Sequence, residues 1–237
     1  MNAAFAIFKK ELHIYFVSPL ATVFLAAFLF LAGLFFYLGV AMSGEASLRV
    51  MMGNLSIALM FLLPMLTMRH FAEEERNGTL ELMMTAPVPL WALLVGKWSA
   101  SVALCGLLLV GTLLFPAILA YYGEPDWGVI ATSYLGLGLC CMAFVSAGLF
   151  ASSLTDEPVA AGFLGVLVLL PFWLAGTVSE MVESDWLRVV LRELAILTHI
   201  DGFSKGIVDS ADVVWFLLIS VGFLFLTWRS VESRRWR

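Results

Sequence analysis

Six long apolar runs divide the chain, at residues 19–41, 51–68, 96–121, 127–150, 159–178 and 213–228. Each approaches the roughly 20 residues with which an α-helix crosses a bilayer. The runs are continuously apolar and lack the period-two alternation of barrel strands, so they predict helices. The fold expected is an all-α integral membrane protein with six transmembrane helices, forming a single transmembrane domain over residues 1–237.

The polar and mixed segments add three shorter elements. In residues 2–17 (NAAFAIFKKELHIYFV), Phe5, Phe8, Leu12, Tyr15 and Phe16 recur at helical spacing, with Lys9, Lys10 and His13 between them. That pattern predicts an amphipathic helix lying in the membrane interface, its aromatics toward lipid and its cations toward headgroups. Ser18-Pro19 separates it from the first span. In residues 179–212, Asp185, Arg188 and Arg192 fall on one helical face and Trp186, Val189, Val190, Leu194 and Leu197 on another. One short surface helix is expected there, with Asp209, Ser210 or Asp212 capping the last span. His199, Asp201 and Lys205 form the titratable cluster of that segment, read as a solvated loop. Within the spans, Pro64, Pro116 and Pro171 predict kinks. The small residues of 136–148 (GLGLCCMAFVSAG) and 160–165 (AAGFLG) permit close helix approach, within one chain or between two.

Composition strengthens the membrane reading. Of 237 residues, 62% are hydrophobic and 13% charged, against about half and a quarter in soluble domains. The first run, at 23 residues over 19–41, exceeds a signal-peptide core of about 7–15, so it is read as a retained span. The net charge of −5 disfavours a nucleic-acid partner, which needs a basic face. The placement of the cations sets the orientation. With six spans, Lys9, Lys10, Arg69, Arg76, Lys97, Arg229, Arg234, Arg235 and Arg237 share one side, and Arg49, Arg188, Arg192 and Lys205 the other. The positive-inside rule then puts both termini in the cytoplasm and 179–212 outside.

Chemistry is sparse. The sequence holds no phosphate-binding GxxxxGK loop, no HExxH and no GxSxG elbow, and its three histidines (His13, His70, His199) are scattered. Cys105, Cys140 and Cys141 lie in apolar runs without ligand spacing and read as packing residues. No catalytic or metal site is expected. Ion-coupled carriers keep acids or bases at membrane depth; the spans hold almost none, which argues against a secondary carrier.

Residues 70–90 (HFAEEERNGTLELMMTAPVPL) interrupt this pattern between the second and third spans. HFAEEER continues the second helix beyond the apolar region. Asn77-Gly78 suits a positive-φ break. Thr79 can cap a new turn in which Leu80, Met83 and Met84 face one way and Glu81 another, and Pro87 ends it. Trp91 and Trp98 are interface anchors, and Lys97 is expected to snorkel to the headgroups. The segment 73–87 therefore presents a short cytoplasmic helix with apolar knobs and an acidic edge.

Residues 71–98 (FAEEERNGTLELMMTAPVPLWALLVGKW) resemble the motif of ABC-2 type permeases, the membrane subunits of one class of ATP-binding cassette transporter. The opening FKKELHIYFVSPLATVFLAAFLFLAGLFF, the stretch LFASSLTDEPVAAGFLG and the tail from His199 resemble the gliding-motility (GldF-like) and NosY-like branch. The resemblance implies a dimer with a second copy or a related permease, and a cytoplasmic ATPase subunit that binds ATP and Mg, with no cofactor in this chain. It implies ATPase contact through Glu74, Gly78, Thr79, Leu80, Glu81, Met83, Met84 and Pro87. The interfacial helix, with Phe5, Phe8, Lys9, Lys10, Leu12 and Phe16, is implied as a second contact. A subunit with a large extracytoplasmic domain is a further implied partner, besides membrane lipids. Export or another transmembrane movement is the implied function, with force transmission to an extracytoplasmic partner as the alternative.

Overall fold

In hydrocarbon the backbone has no water to bond, so a spanning segment must satisfy its N–H and C=O groups within itself. The computed structural model, which describes residues 3–43, 48–79 and 88–234, answers this with helices and no strand among the described residues. In chain order they are α1 (Ala3–Val17), α2 (Pro19–Ser43), α3 (Arg49–Thr67), α4 (Arg69–Arg76), α5 (Leu90–Gly111), α6 (Leu114–Tyr122), α7 (Trp127–Ser152), α8 (Pro158–Met181), α9 (Asp185–Leu194), α10 (Ile196–Ser204) and α11 (Ser210–Arg234). Six helical stretches are long and apolar enough to cross a membrane: Ala21–Ala41, Arg49–Arg76, Leu90–Tyr122, Trp127–Ser152, Pro158–Met181 and Ser210–Arg234.

Helix α7 is the axis of the bundle and packs against α3, α4, α5, α8, α10 and α11. Phe144, Leu137, Cys140 and Cys141 on α7 are fully enclosed, as are Leu55, Leu59 and Leu63 on α3 and Phe216 on α11. The outer helices leave large side chains uncovered, such as Phe30 and Tyr37 on α2, Phe163 and Leu167 on α8, and Leu218 and Val221 on α11. An apolar exterior of this kind is what a lipid solvent selects.

The small residues act within the chain. A Cβ on Gly148 would fall on Thr67 Oγ1 and 3.2 Å from Pro64 Cα, and one on Gly165 would lie 2.6 Å from Pro64 Cβ. Helix α3 therefore sits between α7 and α8 at a distance that only glycine permits. Pro64 and Pro171 lie inside unbroken helices. Pro116 behaves differently: the third span divides into α5 and α6 just before it. The pyrrolidine ring crowds the carbonyl four residues back, at Thr112. There Thr112 and Leu113 bond to carbonyls three residues behind them, and the Thr112 hydroxyl donates to Leu109 O at 2.7 Å and meets Tyr134 Oη at 2.9 Å.

Residues 179–212 hold two helices, α9 and α10, where the periodicity predicts one. Leu197 belongs to the second, so the expected common face with Trp186 is split. The titratable cluster is split too. His199 is buried, with Nδ1 2.6 Å from Asp212 Oδ1 and Nε2 3.0 Å from Glu193 O, stacked on Trp215 at 4.3 Å. Asp201 faces outward to Arg49 and Lys205. Of the three candidate caps for the last span, Asp209 serves, accepting from Ala211 N at 2.9 Å.

Candidate functional site

The α3–α4 junction starts the site. Met68 breaks the second span for one residue, which leaves its carbonyl and the next free N–H groups without helical partners. Ser152, at the end of α7, supplies them: its hydroxyl donates to Met68 O at 2.8 Å and accepts from Phe71 N at 3.0 Å and Ala72 N at 3.1 Å. Helix α4 (RHFAEEER) then carries the second span outward, as its sequence predicts.

Lys97 does not snorkel. Its side chain is 0% exposed, because three acceptors converge on its ammonium: Glu74 Oε1 at 2.7 Å, Glu11 Oε1 at 3.0 Å and His70 O at 3.0 Å. An ammonium has three N–H donors, and all three are used. The half-exposed Lys10 approaches the same two carboxylates, at 3.7 Å from Glu11 and 3.9 Å from Glu74, so two cations offset two anions. Beside them Tyr15 Oη, His70 Nε2 and Ser101 Oγ form a triangle with sides of 2.7, 2.7 and 3.1 Å. Burial by itself would raise the Glu11 carboxyl; the His70 ring, with Nδ1 3.6 Å from Glu11 Oε2, and the charge of Lys97 outweigh it and hold the group well below the usual carboxylate range.

This cluster revises the reading of α1. The aromatics Phe5 and Phe16 point outward and Phe8 and Leu12 are partly covered, but the buried positions are Glu11 and Tyr15. Tyr15, grouped by periodicity with the lipid-facing aromatics, turns inward, while Lys9 and Lys10 stay exposed. The close crossing of α1 on α5 at Gly96, where a Cβ would lie 2.8 Å from Ile7 Cβ, lets Glu11 reach Lys97. Glu74, expected to face a partner, is drawn onto Lys97.

Other elements grip α4 from the opposite side. Arg234 of α11 pairs with Glu75 and donates to Ser153 O, and Arg76 reaches Glu157, ahead of α8, at 3.4 Å. Beyond this clamp Asn77 N bonds Glu73 O, Gly78 N bonds Glu75 O, and the Thr79 hydroxyl donates to Glu74 O at 3.1 Å. Gly78 has φ of +67°, the left-handed conformation expected of the Asn-Gly break. Leu80, Glu81, Met83, Met84 and Pro87 lie outside the described residues. A cavity of ≈ 360 Å³, lined by Lys10, Glu73, Asn77 and Thr79 among others, opens beside the clamp.

Glu11 is the residue that sequence reasoning missed. Its signal was present: an acid in the middle of a helix read as seeking anionic headgroups, with Lys97 inside an apolar run. Among the described residues no group of His, Cys, Asp or Glu could hold a metal ion.

A six-helix apolar bundle that extends one span into a clamped stalk is a multi-pass membrane protein. The chain belongs to the ABC-2 family of transporter proteins, whose profile matches residues 40–228. It is similar to the inner membrane transport permease YhhJ of Escherichia coli (strain K12), and to YhhJ of Shigella flexneri, at 26% identity over 180 residues. That alignment covers 72% of this chain and 47% of each relative, so the chain spans about half the length of the curated relatives it matches.

Proposed function

We propose that this chain is the membrane permease subunit of an ATP-driven transporter in a bacterial cytoplasmic membrane. Its termini and α4 face the cytoplasm, following the bias of Lys and Arg. A separate ATPase chain binds ATP and Mg and performs the hydrolysis. It docks on the segment 79–87 that leaves Gly78, and movement of that segment drives export or another transmembrane step. A second permease subunit completes the assembly, its interface drawn from the exposed apolar faces of the outer helices. Within the family the chain fits the gliding-motility and NosY-like branch, on the motifs noted above.

The observation that carries this reading is the clamp on α4. A helix that only returned the chain to the bilayer would need no grip from α1, α5, α11 and the residue preceding α8 at once. Gripped in this way, any push on 79–87 is delivered to several elements together. Helix α1 is bound into the same joint through Glu11, so it moves with the stalk.

The test is co-purification in mild detergent followed by an ATPase assay of the recovered complex. A nucleotide-hydrolysing chain should come down with the permease. Gly78→Val, which the left-handed backbone disfavours, should weaken the dependence of hydrolysis on the permease while leaving the bundle folded. Recovery of the permease alone, or unchanged coupling in the variant, overturns the reading.

A further inference from the structure

At the end of the bundle opposite the termini, a cavity of ≈ 770 Å³ lies between the first turns of α3, the last turns of α8, and helices α9 and α10. That volume is in the range of small-molecule sites, about 300–1,000 Å³. Its charged lining is Arg49, Arg188, Arg192, Glu180 and Asp201. Asp201 is already engaged by Lys205 and by Arg49, the latter at 3.2 Å. Three lining hydroxyls are spent as donors on their own helices, Ser56 to Gly53 O, Ser179 to Gly176 O and Ser204 to Asp201 O. Besides the Thr177 and Thr198 hydroxyls, the guanidiniums of Arg188 and Arg192 and the carboxylate of Glu180 remain.

Of these two arginines, Arg188 is held in place by the chain. Arg188 and Arg192 stand one turn apart on α9, on one face. Arg188 Nε and Nη2 donate to Val182 O, the carbonyl that follows the last turn of α8, at 3.3 and 2.9 Å. Those bonds leave Nη1 of Arg188, which touches Asp185 only at 3.5 Å. The Arg192 side chain is exposed and has no ion pair or hydrogen bond among the described residues. On the other side of α9, Trp186 is 74% exposed, and Val190 and Leu194 are uncovered as well. Among the described residues that face is only partly covered, and α9 has no buried residue. The helix follows directly on a membrane span, so its apolar face meets lipid at the level where acyl chains give way to headgroups.

We propose that this cavity binds the phosphate of a membrane phospholipid between Arg188 and Arg192. Guanidiniums match phosphate oxygens in paired, charge-assisted hydrogen bonds. A soluble phosphate would use the same donors; the apolar face on the opposite side of α9 seats the helix in lipid and so holds these donors at the level of phospholipid headgroups. The site stands apart from the clamp on α4 and does not depend on the proposed ATPase coupling.

The experiment is native mass spectrometry of the full-length protein in detergent, titrated with dioleoyl phosphatidylglycerol, with dioleoylglycerol and with glycerol 3-phosphate. The phospholipid should be retained, the phosphate-free lipid should not, and glycerol 3-phosphate should fail to displace the phospholipid at equal concentration. R188Q/R192Q should lower phospholipid affinity by about tenfold or more, and Arg229→Gln, at the other end of the bundle, should leave it unchanged. Because Arg188 also braces the end of α8, R192Q alone serves as the milder variant and should still lower affinity. Equal retention by wild type and R192Q in a folded protein overturns the site. Retention of dioleoylglycerol, or equal competition by glycerol 3-phosphate, overturns the lipid phosphate as its ligand.

Discussion

The two ends of this bundle use charge in opposite ways. At the terminal end Lys97 and Glu11 are buried and Glu74 is partly covered, and every N–H of the ammonium is satisfied by the chain itself. At the other end Arg188 and Arg192 are exposed around a cavity, with donors the chain leaves open. The ammonium is saturated by the chain while Glu74 Oε2 keeps no hydrogen-bond partner among the described residues; the network fixes helices relative to one another. An open pair of guanidiniums fixes little and can bind.

The contrast predicts unequal costs. Lys97→Met should be the most damaging change, because it strands the carboxylates of Glu11 and Glu74; removing one partner of a buried pair costs about 3–5 kcal/mol. Thermal melting in detergent should show the loss, and adding Glu11→Gln and Glu74→Gln to the variant should restore much of it. Gly148→Val should come next, at about 1–3 kcal/mol or more, since it forces α7 away from Thr67 and Pro64.

Acid should act in the same direction as Lys97→Met. The Glu11 carboxyl is held low in the fold, so its contribution is complete above the unfolded carboxyl value of about 4.3 and fades as pH falls below it. Melting temperature should therefore drop on acidification below about pH 5, with a shallower slope in Glu11→Gln.

Gly78→Val should cost about 1–2 kcal/mol of local strain, because the space around Gly78 is open and only its φ resists. Its effect should appear in ATPase coupling more than in melting. Smallest of all, Arg192→Gln should move stability by less than about 0.5 kcal/mol while weakening phospholipid retention. A large melting shift in Arg192→Gln, or none in Lys97→Met, would erase the distinction between the two ends.

Most of the architecture was legible because lipid imposes a simple rule. Apolar runs of sufficient length had to become helices, and the Asn77-Gly78 dipeptide announced its left-handed turn by residue type alone. The site was less legible. Tyr15 shares the periodicity of Phe5 and Phe16, and no spacing rule separates an aromatic that faces lipid from one that meets His70. The helix predicted over 179–212 became two because Ala195 adopts an extended backbone between them, which hydrophobic periodicity does not report.

Sequence alone therefore determined that this chain forms six helices long and apolar enough to cross a membrane, and that the second continues past its apolar run into α4. Each follows from local composition and the energetic demand that a backbone in hydrocarbon bond to itself. Only the tertiary structure decided that Glu11, 86 residues from Lys97, would be its counter-ion, and that Arg188 and Arg192 would share a cavity with α3. Partners so distant in sequence are chosen by how helices cross, at glycines such as Gly96 and Gly148, and crossing geometry is a property of the packed bundle.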